Sequence, residues 1–274
     1  METCIAATSI LELTNIQRAG FENVMVTQKG DSNLTRFISM ANDTGLKVPF
    51  VHMDCTTAGT INTIWTENEH QKEFLDFAKN TIQICGDSDV ETVILHPTTL
   101  SEKRIIAPNH IAVDCMNQLL KKAKKSNVKI AIENVDGFSH ANFEYLLDNI
   151  DDENLGFCFD SGHWFAYTPT EDLLGKYGSR LSAVHLHDNN GSVFPEPQNW
   201  DEYCRLHDMH LLPFDGKIDF SHVAQEIAKS NYHGPVVIES RQSQSDDNFL
   251  SLAHERARKL ASMIVQSKTS EVEK

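Results

Sequence analysis

Seven short runs rich in β-branched and apolar residues recur along the chain, at Asn23–Thr27, Val48–His52, Thr92–His96, Val128–Glu133, Leu155–Asp160, Leu181–His185 and Pro235–Glu239. They are nearly continuous in apolar residues instead of alternating with polar ones, which is the pattern of parallel strands covered on both faces. Stretches of helical periodicity separate them. Glu67–Cys85 carries Phe74, Phe77, Ala78 and Ile82 on one stripe. Asn109–Ser126 carries Ile111, Cys115, Leu119 and Ala123, with a basic Lys121–Lys125 end that suits a helix C-terminus. Further helices are predicted at Asp219–Ser230 and Phe249–Val265, and the polar Ser267–Lys274 reads as a frayed tail.

Strands alternating with helices imply a parallel sheet, and closure into a (β/α)8 TIM barrel is its natural completion. The first strand is the weak point, because helix-like Ile10–Ala19 leaves only Thr3–Ala7 for it. That strand is read as short, irregular or missing. A doubly wound open sheet is the alternative, but no G-x-G-x-x-G follows an early strand to support it. No Pro/Gly/Ser-rich linker interrupts the pattern, so residues 1–274 are read as one domain with its core at 3–266 and its tail at 267–274.

Charge and cysteine usage narrow the function. A net charge of -15 gives no support to a broad phosphate-binding surface, which argues against a nucleic-acid partner but allows a local metal-filled cleft. No apolar run approaches the roughly 20 residues of a membrane span, and Met1–Cys4 does not open a secretory signal. Cys4, Cys55, Cys85, Cys115, Cys158 and Cys204 form no C-x-x-C pair. They read as reduced thiols of a cytoplasmic protein, each a small buried apolar residue.

The chemistry lies where the runs end. His52, His96, Glu133, Asp160, His185 and Glu239 each close one strand run, and in a barrel those ends surround a single pocket. A lone strand-end histidine is more often structural, but six such residues from six strands point to a metal or catalytic site. Imidazole with carboxylate suits zinc, manganese, iron or cobalt better than magnesium or calcium. His163, three residues after Asp160, can face the same cleft. Asp208 and His210 fall on one side of an extended segment as a chelating pair; the plainer reading is a solvated loop. His187 is read as pointing away from His185 in a structural or supporting role. His70, His110, His140, His222, His233 and His254 are read as surface residues. The acidic, aromatic insertion Gly191–Arg205 is either a lid over a small-molecule pocket or a surface loop.

The segment Val184–Asn189 (VHLHDN), with Asp208–Phe220 (DMHLLPFDGKIDF), resembles the xylose-isomerase-like TIM-barrel superfamily, and the resemblance extends from Asn23 to Glu239. That superfamily contains sugar-phosphate isomerases and epimerases and the endonuclease IV group of DNA-repair enzymes. The resemblance implies that Glu133, Asp160, His185 and Glu239 hold a central divalent metal. It further implies that Glu133 and Glu239 serve as acid and base, and that His163 contacts substrate. In endonuclease IV-like members, residues matching His52 and His96 share Glu133 around a second metal, and those matching His163, Asp208 and His210 bind a third. One to three ions of Zn, Mn, Co or Fe are therefore open. Phe214-Asp215-Gly216 stands where many relatives have a Gly-x-Gly turn, so this loop is expected to be altered.

The favoured function is a metal-dependent isomerase or epimerase acting on a small sugar, sugar phosphate or polyol. Arg241 is a candidate for a substrate phosphate or carboxylate, or for a surface salt bridge. The alternatives are a dehydratase or lyase on a polyol-derived ring and a multi-zinc phosphodiesterase at abasic DNA. No arginine-rich loop or aromatic wedge at the strand ends supports the last. A homo-oligomer is compatible with the sequence, which fixes neither the substrate nor the native metal.

Overall fold

Apolar side chains on both faces of a strand demand two coverings, and the chain supplies a helical layer outside and a packed interior inside. The structure is a computed structural model that describes residues 1–29, 33–53, 61–97, 106–135, 140–191, 208–240 and 246–272. Its strands are β1 (Thr3–Ala7), β2 (Asn23–Thr27), β3 (Lys47–His52), β4 (Thr92–Leu95), β5 (Lys129–Glu133), β6 (Leu155–Asp160), β7 (Leu181–His185) and β8 (Val236–Ile238). They pair in the order β7-β6-β5-β4-β3-β2-β1-β8. A parallel bridge joins Leu186 to Ile238, and the Leu186 N–H donates to the Val237 carbonyl at 2.8 Å, which brings the two edge strands together. The result is a (β/α)8 TIM barrel.

The strand at the N-terminus is present despite its length. All five of its residues are buried, and it pairs with β2 (Cys4 opposite Asn23) and with β8 (Thr3 opposite Val236). Two neighbours satisfy its backbone, so a short run suffices. The chain can turn at once because Ser9 and Glu12 form a capping box: Ser9 Oγ accepts from Leu11 N–H at 3.2 Å and Glu12 Oε2 accepts from Ser9 N–H at 3.0 Å.

The helices are α1 (Leu13–Arg18), α2 (Leu34–Asp43), α3 (Glu69–Asp87), α4 (His110–Ser126), α5 (His140–Asn149), α6 (Ser161–Tyr167), α7 (Leu173–Tyr177), α8 (Phe220–Lys229) and α9 (Asp247–Val272). Asn68 caps α3 and Asn109 caps α4 through backbone N–H groups of Gln71 and Ile111. The stripes read from the sequence face the strands, although Phe77 and Ile111 are only half-buried and Ala112 takes the deeper position. The last helix, α9, runs on to Val272, past the Phe249–Val265 read from the sequence. Lys268 Nζ donates to the Tyr232 carbonyl at 2.6 Å and ties this end of the helix to the barrel.

Inside the barrel, Cys4, Ala6, Met25, Phe50, Ile94, Ala131, Cys158, Ala183 and Val237 form a separate cluster to which every strand contributes. Small residues face large ones, so the interior is filled and is no pore. Outside, Phe143, Phe157, Phe159 and Tyr177 pack edge-on with centroids 5.3–6.1 Å apart. Cys4, Cys85, Cys115 and Cys158 are free and buried; Cys55 and Cys204 lie outside the described residues. His140 and His254 are half-buried, in correction of the surface reading, with His254 set edge-on to Phe21 at 5.1 Å and beneath Gly20. Among the described residues, no helix is long and apolar enough to cross a membrane.

Candidate metal centre

Strand periodicity places the site. Phe50, Ile94, Ala131, Cys158, Ala183 and Val237 point into the barrel, and two residues further along the chain, on the strands or just past their ends, stand His52, His96, Glu133, Asp160, His185 and Glu239. Side chains two apart share a face, so the polar set forms the next layer above the apolar plug, at the C-terminal mouth.

Glu133 is the hub. Its Oε2 lies 3.3 Å from His52 Nε2, 3.4 Å from His96 Nε2 and 3.2 Å from His185 Nδ1, and its Oε1 lies 3.2 Å from His163 Nδ1. His185 Nδ1 also approaches Glu239 Oε2 at 3.0 Å and Asp160 Oδ2 at 3.9 Å. Glu133, Asp160, His185 and Glu239 thus form one group whose ligand atoms all lie within 4.8 Å of one another, and His52, His96 and Glu133 form another. A third contains His163, His187, Asp208 and His210, in which Asp208 Oδ1 sits 3.2 Å from His163 Nε2 and 2.9 Å from His210 Nε2. Glu133 is 1% exposed, whereas His96 is 21% and Glu239 19% exposed, so the cluster opens to solvent past those two.

Local folding explains the D-x-x-H spacing. Asp160 is the N-cap of α6, and its Oδ1 accepts from the His163 N–H at 2.7 Å, so the first helical turn carries His163 back over the strand ends. Asn134 fixes this cap from β5: its Oδ1 accepts from Asp160 N–H at 2.8 Å and its Nδ2 donates to the Asp160 carbonyl at 2.9 Å. Asp208 and His210 are held by the last part of the motif. Asp188 and Leu211 exchange two backbone hydrogen bonds of 2.8 and 3.0 Å. His210 adopts φ 47°, a left-handed angle that costs a residue with a Cβ and is tolerated where function demands it.

The donor set fits a cation. His52 Nδ1 donates to the Met53 carbonyl at 3.2 Å, His163 Nδ1 to the Asn134 carbonyl at 3.0 Å and His210 Nδ1 to the Glu239 carbonyl at 3.3 Å. Each of these rings turns its Nε2 toward a carboxylate, where a proton or a metal cation is the positive charge that can lie between them. His185 is reversed, with Nε2 facing the Met25 thioether at 3.2 Å, while its buried Nδ1 finds no hydrogen bond of acceptable geometry despite two carboxylates nearby. Lone pairs converging on carboxylates at about 3 Å repel unless a positive charge lies between them.

Proton affinities lean the same way. Burial opposes the ionisation of Glu133, Asp208 and Glu239, but neighbouring imidazoles, His185 above all for the two glutamates and His210 for Asp208, hold each carboxyl below its ordinary range. Burial likewise opposes a charged His163, and Asp160 with Asp208 overcomes it and raises its pKa well above normal. His185 is raised despite burial by Cys158, Glu239 and Glu133. Burial pushes the Cys158 thiol up to about 12, so it is neutral at physiological pH and the two carboxylates supply the effective charge. A buried cluster that draws protons in this way is one that a divalent cation would also neutralise.

The structure thus brings together His52, His96, Glu133, Asp160, His163, His185, Asp208, His210 and Glu239. Arg241 and residues 192–205 of the insertion lie outside the described residues. The solvated-loop alternative for Asp208 and His210 is set aside, as both are buried. One reading is corrected. His187 does not point away: it is fully buried and its Nε2 lies 2.9 Å from Asp160 Oδ1. The spacing carried the signal, since residues 185 and 187 are two apart and share a face. Asn134 and Met25 also contact these residues and carried no such mark, whereas Asp188 belongs to the VHLHDN segment. In the loop where Phe214 stands, that residue has φ 75°, an angle that glycine favours, with Lys259 Nζ 3.8 Å from its ring centroid and Phe220 at 5.2 Å.

Known proteins share this architecture. An uncharacterized protein of Sinorhizobium fredii is 31% identical over 207 residues, 71% of this chain and 62% of that protein. An inosose dehydratase of Clostridium botulinum is 31% identical over 147 residues, 50% of this chain and 49% of that protein. Each match thus takes in less than two thirds of the relative's length. Among solved structures, an L-ribulose 3-epimerase superposes with TM-score 0.73 at 15% identity over 98% of this chain and 96% of that one. A zinc-bound IolI protein superposes with TM-score 0.65 at 16% identity over 98% and 99%. At those identities the likeness is one of fold. The model of the xylose isomerase-like TIM barrel matches residues 13–264, and with barrel order, strand-end residues and sequence match in agreement, the chain belongs to that family.

Proposed function

We propose that the chain is a metal-dependent isomerase or epimerase of a small carbohydrate. The observation that carries this reading is the convergence of Glu133, Asp160, His185 and Glu239 into one ligand group at the barrel mouth. Relatives that include an inosose dehydratase and fold neighbours that include an L-ribulose 3-epimerase support a polyol or ketose substrate. A divalent cation held by those four residues, zinc, manganese, cobalt or iron, would supply Lewis-acid stabilisation to negative charge developing on a substrate carbonyl oxygen. Glu239, the more open of the two glutamates, takes the proton from the carbon beside that carbonyl. Glu133, which approaches His185 from β5 while Glu239 approaches it from beyond β8, returns a proton from another direction; it first takes that proton up from solvent, and Glu239 releases its own to solvent. His163 orients a substrate oxygen, and its Nδ1 bond to the Asn134 carbonyl fixes the ring for that task.

Loss of water from a polyol-derived ring begins with the same proton removal, so a dehydratase is the second reading, favoured by the inosose dehydratase relative. Incubation of metal-loaded protein with ketoses and with inosose in heavy water separates the two. Deuterium retained in an epimeric ketose supports the first reading, and an unsaturated or diketone product with loss of water supports the second. Neither product from either substrate class contradicts both. Cleavage of an abasic-site duplex in place of these reactions would favour the phosphodiesterase alternative, which the net charge of -15 opposes.

A further inference from the structure

We propose that His187 is the positioning residue that locks Asp160 and His210 into the metal centre and is not itself a ligand. This rests on the metal reading above. The His187 ring is fully buried, and its Nε2 lies 2.9 Å from Asp160 Oδ1 and 3.0 Å from Oδ2. One N–H facing both oxygens fixes the rotation of that carboxylate.

The backbone around Asp160 is folded onto the same residue. Ser161 Oγ donates to the His187 carbonyl at 2.7 Å and accepts from its N–H at 3.2 Å. Gly162 lies against the ring edge: a Cβ there would stand 1.9 Å from Cε1 and 2.3 Å from Nδ1, so a larger residue would displace the imidazole. The whole Asp160-Ser161-Gly162 turn is thus shaped to His187 by a carboxylate, a hydroxyl and a missing side chain.

His187 also belongs by distance to the group of His163, Asp208 and His210. Ring geometry argues against ligation. His187 and His210 stack with centroids 3.9 Å apart and planes 2° from parallel. An imidazole lone pair lies in its ring plane, and parallel stacked planes share no point at which one cation could meet both. The Nε2 of His187 is already engaged by Asp160, and its Nδ1 is buried against Gly162 with no hydrogen-bond partner. His163 stands at 82° to both rings, so only one of the stacked pair can converge with it; His210 turns its Nε2 to Asp208 Oδ1 at 2.9 Å, whereas the Nε2 of His187 is held by Asp160. His187 therefore acts as a brace between two parts of the centre, orienting Asp160 with its edge and His210 with its face. Supporting partners of this kind commonly change metal affinity by roughly 10–100-fold when removed.

The test is a titration of the stripped full chain with Co2+ and Zn2+ against a chromophoric chelator, with the visible Co2+ spectrum and the number of ions at saturation recorded. His187→Asn places its amide nitrogen near the Nδ1 position, short of Asp160, whereas His187→Gln places one near the Nε2 position. Asn is expected to weaken Co2+ binding by roughly 10–100-fold and to shift the spectrum while the ion count stays the same; Gln is expected to recover most of the loss. Gly162→Ala, which presses on the ring from a different residue, is expected to shift affinity and spectrum in the Asn direction, and it provides the readout if the Asn variant does not fold. An Asn variant with unchanged affinity and spectrum overturns the positioning role. Asn and Gln variants that each bind one ion fewer show that His187 is a ligand, which also overturns it. A wild-type chain that binds neither metal overturns the metal reading itself, so the two failures are distinguishable.

Discussion

Replacing Asp188 by alanine is expected to cost about 4 kcal/mol of folding free energy. The side chain is fully buried, and its oxygens accept three backbone hydrogen bonds: Asn189 N–H at 2.8 Å and Ile218 N–H at 3.0 Å on Oδ1, and Gly216 N–H at 2.8 Å on Oδ2. Hydrogen bonds to a charged acceptor contribute roughly 1.5–3 kcal/mol each, so three give a gross value of roughly 4.5–9. Removing the carboxylate also removes the cost of burying it, and water entering the gap re-satisfies part of the exposed backbone, which brings the net to about 4. Asn keeps one acceptor oxygen and is expected to cost about half as much. Against a total stability of roughly 5–15 kcal/mol, the alanine variant should be visibly fragile. Equilibrium urea unfolding measures the loss, and hydrogen exchange at Gly216 and Ile218 locates it. A loss below about 1 kcal/mol for alanine, or faster exchange spread evenly over the barrel, would refute the reasoning.

Other perturbations test other parts. Glu133→Gln removes the carboxylate that faces His52, His96, His163 and His185; bound transition metal is expected to fall by more than the roughly 10–100-fold typical of an outer partner, as read by elemental analysis after dialysis. Phe157→Ala empties a fully buried site between Phe143, Phe159 and Tyr177 and is expected to cost about 3–5 kcal/mol in urea unfolding. Glu22 supplies a pH test. Burial opposes its ionisation, but the Thr3 N–H at 2.9 Å and the Thr3 hydroxyl hold the carboxyl below the usual glutamate range. A carboxyl depressed in the folded state stabilises above its unfolded pKa, and that contribution is lost as pH falls through the folded value. Glu22→Gln is therefore expected to lower Tm near neutral pH and to differ little from wild type in strong acid; a gap independent of pH would contradict this.

The barrel was legible because its two packing demands leave separate marks on the sequence. Uninterrupted apolar runs such as Leu155–Asp160 announce strands covered on both sides, and one polar residue at the end of each run marks the mouth. Period two then carries the rest: Ala131 to Glu133 and Ala183 to His185 are one step from plug to site. The supporting role of His187 was legible but its direction was not, since a positioning residue is defined by its partner and the partner lies far along the chain. His187 reaches back 27 residues to Asp160, Asn134 forward 26, and Asp188 forward 28 to Gly216. Lys268 holds the last helix through Tyr232, 36 residues away, a contact that the polar composition of the tail did not suggest.

The proposed metal site is tested most directly by anomalous diffraction from crystals of the chain saturated with Zn2+ or Mn2+. The expected result is a strong peak about 2.0–2.3 Å from His185 Nδ1 and from carboxylate oxygens of Glu133, Asp160 and Glu239. No peak at the barrel mouth after saturation, with these four side chains turned away from one another, would contradict it.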